Sequence, residues 1–567
     1  MAAGLLSLGW LLPNHTKPWM AFHSDAWIAA ILALTGLVVL VRGPRAVACN
    51  GMTVVAALLL PIPLLQHVSG ILAFAGQAWT ASAYIGGFML ALLIGQQWQA
   101  WRPRWMGDIL FAAIGLAAIA SVAMQLQQWL SLAPDGALNV WIVGSDGARP
   151  SANMEQPNQL ATLLLWGLLA CAWGVWRKQL GRAVALITAG FLLIGLALTQ
   201  SRTGALGLFT LGVAAWWWRR RWQSKAVPLC VTSLAAFYVL VLLILNPLRR
   251  FLMLEVPASM VQRLGHELRP ELWRMLWDAA CQQPWSGYGW SRVAAAQIAV
   301  AENHPALHVP FFHSHNLFLD FVLWMGIPLG LLLTGLVLCW VIIAACRVRR
   351  TPEILFFLAV VVVGIHAMLE LPLHYAYFLL PTGLMMGALT GKLQIFPLKM
   401  ACRMSGRWIL LGTWCLGVTL LGLIVRDYFR VEAAYASLQL EKAQLVGSRP
   451  ASTPTVLLLT DLREMQRLMK FEPNGESSPS ELQWAKDVTA IWPSAGNFMK
   501  LAKMLGLNHQ PNEAQRWLVI MCRIVPREQC ASAPAKWEQV QRLHPTLTSI
   551  QWPVAAEPRR INSSESR

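Results

Sequence analysis

The sequence predicts an all-α fold: a polytopic membrane helix bundle of about 13 transmembrane helices, with a helical loop and a helical C-terminal domain on its outer side. Three observations predict it. Of the 567 residues, 56% are hydrophobic and 13% charged, with mean hydropathy +0.50; a soluble domain carries about 25% charged residues. Apolar runs of about 20 residues, the length a helix needs to cross a bilayer, recur along residues 1–426. The short loops between them alternate between basic and not basic, as loops do when every second one stays in the cytoplasm.

In chain order, spans are expected at 1–13, 25–43, 52–69, 72–95, 108–128, 158–176, 183–200, 203–218, 227–246, 317–345, 354–371, 375–391 and 408–426. The first is short. It lacks a basic flank and a small-residue cleavage site before Pro13, so a retained helix is expected rather than a signal peptide. One set of loops carries Arg42 and Arg45, Arg102 and Arg104, Arg177 to Arg182, Arg219 to Lys225, Arg347 to Arg350, and Lys392 to Arg407. The alternate short loops hold only Lys17, Arg149 and Arg202. The basic side is therefore cytoplasmic. Loops 129–157 and 247–316, and the tail after Arg426, fall on the opposite side.

The chain divides into four regions: transmembrane helices in 1–246, a long outer loop in 247–316, further transmembrane helices in 317–426 and a soluble helical domain in 427–567. Glu271 to Cys281 has the amphipathic pattern of a helix lying on the membrane surface. Asn497 to Pro526 resembles one hairpin of a tetratricopeptide-type repeat. The serine-rich end, Ser563 to Arg567, reads as disordered.

The net charge of +18 follows from this topology, because most basic residues lie in loops between apolar runs. No nucleic-acid partner is expected. Most of the ten cysteines lie in apolar runs, where they act as small hydrophobes, and no CxxC spacing occurs. Cys522 and Cys530 stand in the outer tail, where a disulfide can form. Two buried thiols fit the sequence equally well.

Polar groups at a membrane boundary are costly and so draw notice. His313-Ser314-His315-Asn316 opens the helix expected at 317. Histidine titrates near pH ~6.5 and suits general-base work. Asp320 is the nearest carboxylate, too little for a metal site. Arg202, in the minimal turn Thr199 to Gly204, starts a helix, where guanidinium and backbone N–H groups together suit a phosphate. Snorkelling to headgroups is the plainer alternative. Arg269 precedes Pro270, a first-turn proline, and so also stands at a helix start. Arg149 to Asn153 and Gln156 to Asn158 form a polar entry into the helix expected at 158, where Asn158 and Gln159 can hydrogen-bond a sugar or diphosphate. Glu370 lies between two spans on the outer side and needs a partner; Arg202 or Arg269 would serve.

Together these residues resemble the O-antigen ligase and polymerase superfamily of bacterial envelope enzymes, above all its protein O-oligosaccharyltransferase branch (PglL type). The resemblance rests on His315-Asn316, nine residues, then Gly326. It extends to Pro13 to Trp19, Arg149 to Ala161, Ser201 to Thr203, Arg269 with Trp273, Pro284 to Gly289, and Glu370 to Tyr377. One motif position departs: Leu329 stands where the family usually has Gly, Thr or Tyr, with Gly330 next to it. The tail is similar to the extra periplasmic region of the protein-glycosylating branch.

The resemblance implies a multi-pass inner-membrane glycosyltransferase with its active site and tail in the periplasm. It implies transfer of a glycan from undecaprenyl pyrophosphate to serine or threonine of a periplasmic or pilin-like protein, without metal or other cofactor. His315 would be catalytic and Arg202 and Arg269 would bind pyrophosphate, with Arg149, Asn158, His313, Asn316 and Glu370 in support. Ligation to lipid A-core and glycan polymerisation share the donor and chemistry. A transporter would instead place broken helices and polar groups at mid-membrane.

Overall fold

The computed structural model describes residues 1–44, 47–132, 138–144, 149–222, 224–254, 268–402, 404–444 and 452–553. The expected disorder at Ser563 to Arg567 lies outside them. In the first half come α1 (Ala2–Ser7), α2 (Phe22–Arg42), β1 (Val47–Asn50), α3 (Gly51–Leu59), α4 (Ile62–Val68), α5 (Ala75–Trp101) and α6 (Trp105–Trp129). Next are α7 (Leu138–Trp141), α8 (Pro157–Trp176), α9 (Arg182–Thr199), α10 (Arg202–Trp217) and α11 (Val227–Phe251). The long loop holds α12 (Arg269–Gln282) and α13 (Val293–Val300). Then come α14 (Leu317–Met325), α15 (Ile327–Arg347), α16 (Thr351–Ala367), α17 (Ala376–Leu393), β2 (Pro397–Cys402) and α18 (Met404–Lys442). The tail adds α19 (Thr460–Lys470), α20 (Pro479–Ile491), α21 (Ala495–Leu507), α22 (Pro511–Ile524) and α23 (Arg527–Leu543).

Among the described residues, nine helical segments are long and apolar enough to cross a membrane, Gly51–Val68 counting as one. They fall on nine of the expected spans. Five expectations change. The span at 1–13 is only α1 and a 3-10 turn, Leu8–Trp10, under half of a ~30 Å crossing at ~1.5 Å per residue. The spans at 203–218 and 354–371 are α10 and α16, of 16 and 17 residues. At the expected 375–391, α17 has 18 residues but is not among the nine. The span at 317–345 is broken at Gly326 into α14 and α15.

Gly326 has φ +83°, and a Cβ there would overlap the Trp285 carbonyl oxygen. The Pro284–Gly289 segment docks into this break: Ile327 N–H donates to Pro284 O and Tyr288 N–H to Leu323 O, both at 2.7 Å. Gly330 lets α15 approach the Val322 backbone, while Leu329 is exposed. The motif glycine thus turns the chain and admits a neighbouring backbone.

The fold is helical as expected, apart from one two-stranded antiparallel ribbon among the described residues, β1 with β2, joining two basic loops. The expected boundary at 426/427 lies inside α18, whose 39 residues run about 58 Å, twice the hydrocarbon core. Likewise 246/247 lies inside α11. Cys522 and Cys530 are joined in a disulfide rather than standing as two thiols. The tail docks on α13: Arg523 donates to His304 O at 2.8 Å, Arg516 pairs with Glu302 at 2.6 Å, and Ile298 and Ala301 pack against Ile520 and Met521.

α5 and α17 pack closely along their length because glycines let the backbones meet, as small residues do in membranes. A Cβ on Gly387 would overlap Leu92 O. Gly387→Val is therefore expected to destabilise the bundle by at least ~1–3 kcal/mol, seen as a lowered thermal midpoint in detergent. An unchanged midpoint would show that this packing is not tight.

Candidate active site

Four segments meet at the non-basic end of the bundle. α12 starts at Arg269 with Pro270 in its first turn, where a missing N–H costs nothing. α16 ends at Ala367; Pro372 then forces residues 368–375 into a strap whose Glu370 N–H donates to His366 O at 2.8 Å. Ser201 caps α10, its Oγ accepting from Gly204 N–H at 2.9 Å. Asn316 caps α14, accepting from Phe318 and Leu319 N–H.

His315 sits at φ +57°, a sparsely populated region for a residue with a side chain. The surroundings hold it there. Ser314 N–H donates to Asp320 Oδ1 at 2.8 Å, and Trp273 Nε1–H donates to Ser314 O at 2.8 Å. Strain over-determined in this way is typical of functional positions.

One network joins the segments. His315 Nδ1 lies 3.2 Å from Leu369 O and 3.3 Å from Glu370 Oε2. Arg269 Nη2 donates to Glu370 Oε1 at 2.9 Å, and Asn158 Nδ2 donates to the same oxygen at 3.1 Å. Asn158 Oδ1 accepts from Ser201 Oγ at 2.7 Å. Arg202 is the next residue, first in α10. Arg149 Nε–H donates to Thr199 O in the same turn at 3.0 Å. Of the two partners weighed for Glu370, the structure pairs it with Arg269.

The electrostatics favour one proton arrangement. Nδ1 of His315 faces a carbonyl and a carboxylate, both acceptors, so it carries the hydrogen and Nε2 keeps the lone pair of the neutral ring. Burial alone would raise Glu370, but the hydrogen bond from His315, then the charge of Arg269, outweigh it and hold Glu370 below the usual carboxylate range. His313, ring centroid 4.1 Å from that of His315, is pushed well below the usual histidine value by burial, then by His315, His374 and Arg269. It is neutral at pH 7. The side chains of Arg269, His315 and Glu370 are 18%, 18% and 14% exposed, so the Arg269–Glu370 pair acts in a weak dielectric and all three can be reached.

Arg149, Asn158, Arg202, Arg269, His313, His315 and Glu370, which stand out in the sequence, gather here through connections that the sequence does not show. Asn316 was expected to support substrate; its side-chain oxygen caps a helix. Asp320 was weighed as a metal ligand and instead anchors the histidine loop. Ser201 and the Leu369 carbonyl were not singled out. Only the matching motif segments hinted at Ser201 and Trp273.

Comparison with known proteins covers most of the chain. The family described as "Protein glycosylation ligase" matches residues 150–173, "O-Antigen ligase" matches 187–335, and "Virulence factor membrane-bound polymerase, C-terminal" matches 354–539. A "General O-oligosaccharyltransferase" of Acinetobacter baylyi is 29% identical over 544 residues, 92% of each chain. A "ComP-specific O-oligosaccharyltransferase" of the same organism is 29% identical over 245 residues, 43% of this chain and 44% of that one. The three family matches each fall on part of the site: Arg149's neighbours and Asn158, then Arg202 with Arg269 and His315, then Glu370. The chain is thus similar to the O-antigen ligase and polymerase families and, over 92% of its length, to a membrane glycosyltransferase of the O-oligosaccharyltransferase type.

Proposed function

We propose that this protein transfers a preassembled glycan en bloc from undecaprenyl pyrophosphate to serine or threonine hydroxyls of periplasmic proteins, pilins among them, at the outer face of the inner membrane. The observation that carries this reading is the imidazole of His315 held at Nδ1 by Glu370, itself paired with Arg269. A hydroxyl oxygen attacks the anomeric carbon. Its proton passes to Nε2 of His315 as the new C–O bond forms. The bond from anomeric carbon to phosphate oxygen breaks, and the pyrophosphate leaves with the electron pair, its charge met by Arg269 and Arg202. A single displacement inverts the anomeric centre. Arg149, Asn158 and His313 line the approach.

No metal is needed for any of these steps, so transfer should continue undiminished in excess EDTA. Loss of activity restored by one divalent cation would replace the histidine with a metal-activated hydroxyl.

The matches to O-antigen ligase and polymerase families favour a second reading, in which the acceptor is lipid A-core or another lipid-linked glycan. Mass spectrometry of periplasmic proteins and lipopolysaccharide, with and without the gene, separates the two. Loss of a glycopeptide with unchanged lipopolysaccharide is expected. Shortened lipopolysaccharide with unchanged glycopeptides would reverse the assignment.

A further inference from the structure

Between α2, α5, α17 and α18 runs an apolar groove of about 470 Å³, within the ~300–1,000 Å³ usual for ligand clefts. Its walls are small or aliphatic, with Ala29, Ala83, Gly87, Leu380 and Leu420 among them. The polar side chains on its wall are already engaged inside the protein. Asp25 accepts from Tyr84 Oη–H and from Ala376 N–H, both at 2.6 Å. Ser82 donates to Leu60 O and Thr413 to Ile409 O, each at 2.9 Å. Such a surface favours a hydrocarbon and gives a polar ligand little to bind.

The groove's length and position narrow the choice. Along α18 it runs from Thr413 to Ile424, about 17 Å at ~1.5 Å per residue, roughly half of a ~30 Å hydrocarbon core. Its head, at Phe22, Ala376 and Ile424, is at the end of the bundle that holds Glu370. One turn of α17 separates groove from network. Ala376 N–H bonds Asp25 in the groove wall, while the hydroxyl of Tyr377 donates to Gln159, the neighbour of Asn158. A helix with its side chains is about 10–12 Å across, so the groove's head lies one helix width from the Asn158–Glu370–Arg269 network.

We infer that this groove holds the isoprenoid chain of the lipid-linked donor. This rests on the transfer reaction proposed for the site. The chain descends beside the 368–375 strap from a pyrophosphate held at Arg269, and fills one leaflet's depth between α5 and α18. An apolar channel whose head lies one helix width from the reacting site suits the substrate's own chain better than a structural phospholipid.

The test uses purified full-length protein and two donors that carry the same glycan pyrophosphate, one on a long polyprenyl chain and one on a chain of two isoprene units. Wild type should show a KM for the long-chain donor at least tenfold below that for the short one, since each buried methylene is worth roughly fourfold in affinity. Ala83→Phe and Ala29→Phe, which fill the groove, should raise KM for the long-chain donor toward the short-chain value and leave kcat and the short-chain KM unchanged. Equal KM values for both donors in wild type, or equal damage to both donors in either variant, would overturn the inference. A diazirine-bearing polyprenyl phosphate should label the α18 segment 413–424 in wild type, a readout that needs no variant to fold. Labelling elsewhere, or a copurified phospholipid in the groove that polyprenyl phosphate does not displace, would also overturn it. Failure of wild type to use either donor would reject the proposed reaction instead.

Discussion

His315→Asn is expected to lower glycan transfer about 10²–10⁴-fold, the usual worth of a positioned acid–base group, with the protein still accumulating normally in the membrane. Asparagine is the informative substitution. It tolerates the left-handed backbone that His315 adopts at φ +57°, so the loop between Ser314 and the α14 cap should survive. It offers no ring nitrogen to take a proton. Glycosylated acceptor per unit of membrane protein is the quantity to measure. Transfer at the wild-type rate would remove His315 from the chemistry. His313→Asn should do much less, because His313 is a neutral neighbour without the Glu370 contact.

Arg269→Ala is expected to cost about 10²–10³-fold in kcat, the typical loss when one group that stabilises a growing anion is removed. It also strips Glu370 of a partner at 2.9 Å, leaving a buried carboxylate short of a positive charge, which is costly. Two controls separate these effects. Arg269→Lys keeps the charge but not the planar fork, and should recover stability more fully than kcat. Glu370→Gln cannot anchor His315 as a carboxylate does, and should lower kcat with little change in donor KM. Because the residues form one network, the double variant should lose less than the product of the single losses; strict additivity would mean that they act separately. The pH dependence has a defined sign. Glu370 is held below its ordinary value, so its stabilising contribution is complete above about pH 4.3, the unfolded value, and fades as pH falls through the lower folded value. Glu370→Gln should flatten that acid limb of the stability profile.

The membrane character, the alternation of loops and the candidate residues were legible in the sequence, because hydropathy and charge act locally and leave runs that can be read by eye. The breaks were not. Residues 317–345 read as one apolar span because Gly326 looks like any helix glycine until the Trp285 backbone is seen against it. The first 13 residues read as a span by composition, although α1 ends at Ser7. The ribbon between β1 and β2 pairs residues some 350 positions apart, which no local pattern reveals. At the site, histidine and arginine stood out by cost. Their connection through Asn158, Ser201 and Leu369 O did not, since a backbone carbonyl and a capping serine carry no signal of their own.

The most direct measurement is reconstituted transfer. Purified protein, a glycan on polyprenyl pyrophosphate and a serine- or threonine-bearing acceptor protein are combined, and the acceptor's intact mass is followed. The account predicts a gain of one whole glycan on a hydroxyl side chain, with inverted anomeric configuration, release of polyprenyl pyrophosphate and loss of the product with His315→Asn. An unmodified acceptor protein alongside glycan transfer to lipid A-core or to a lipid-linked glycan would contradict it.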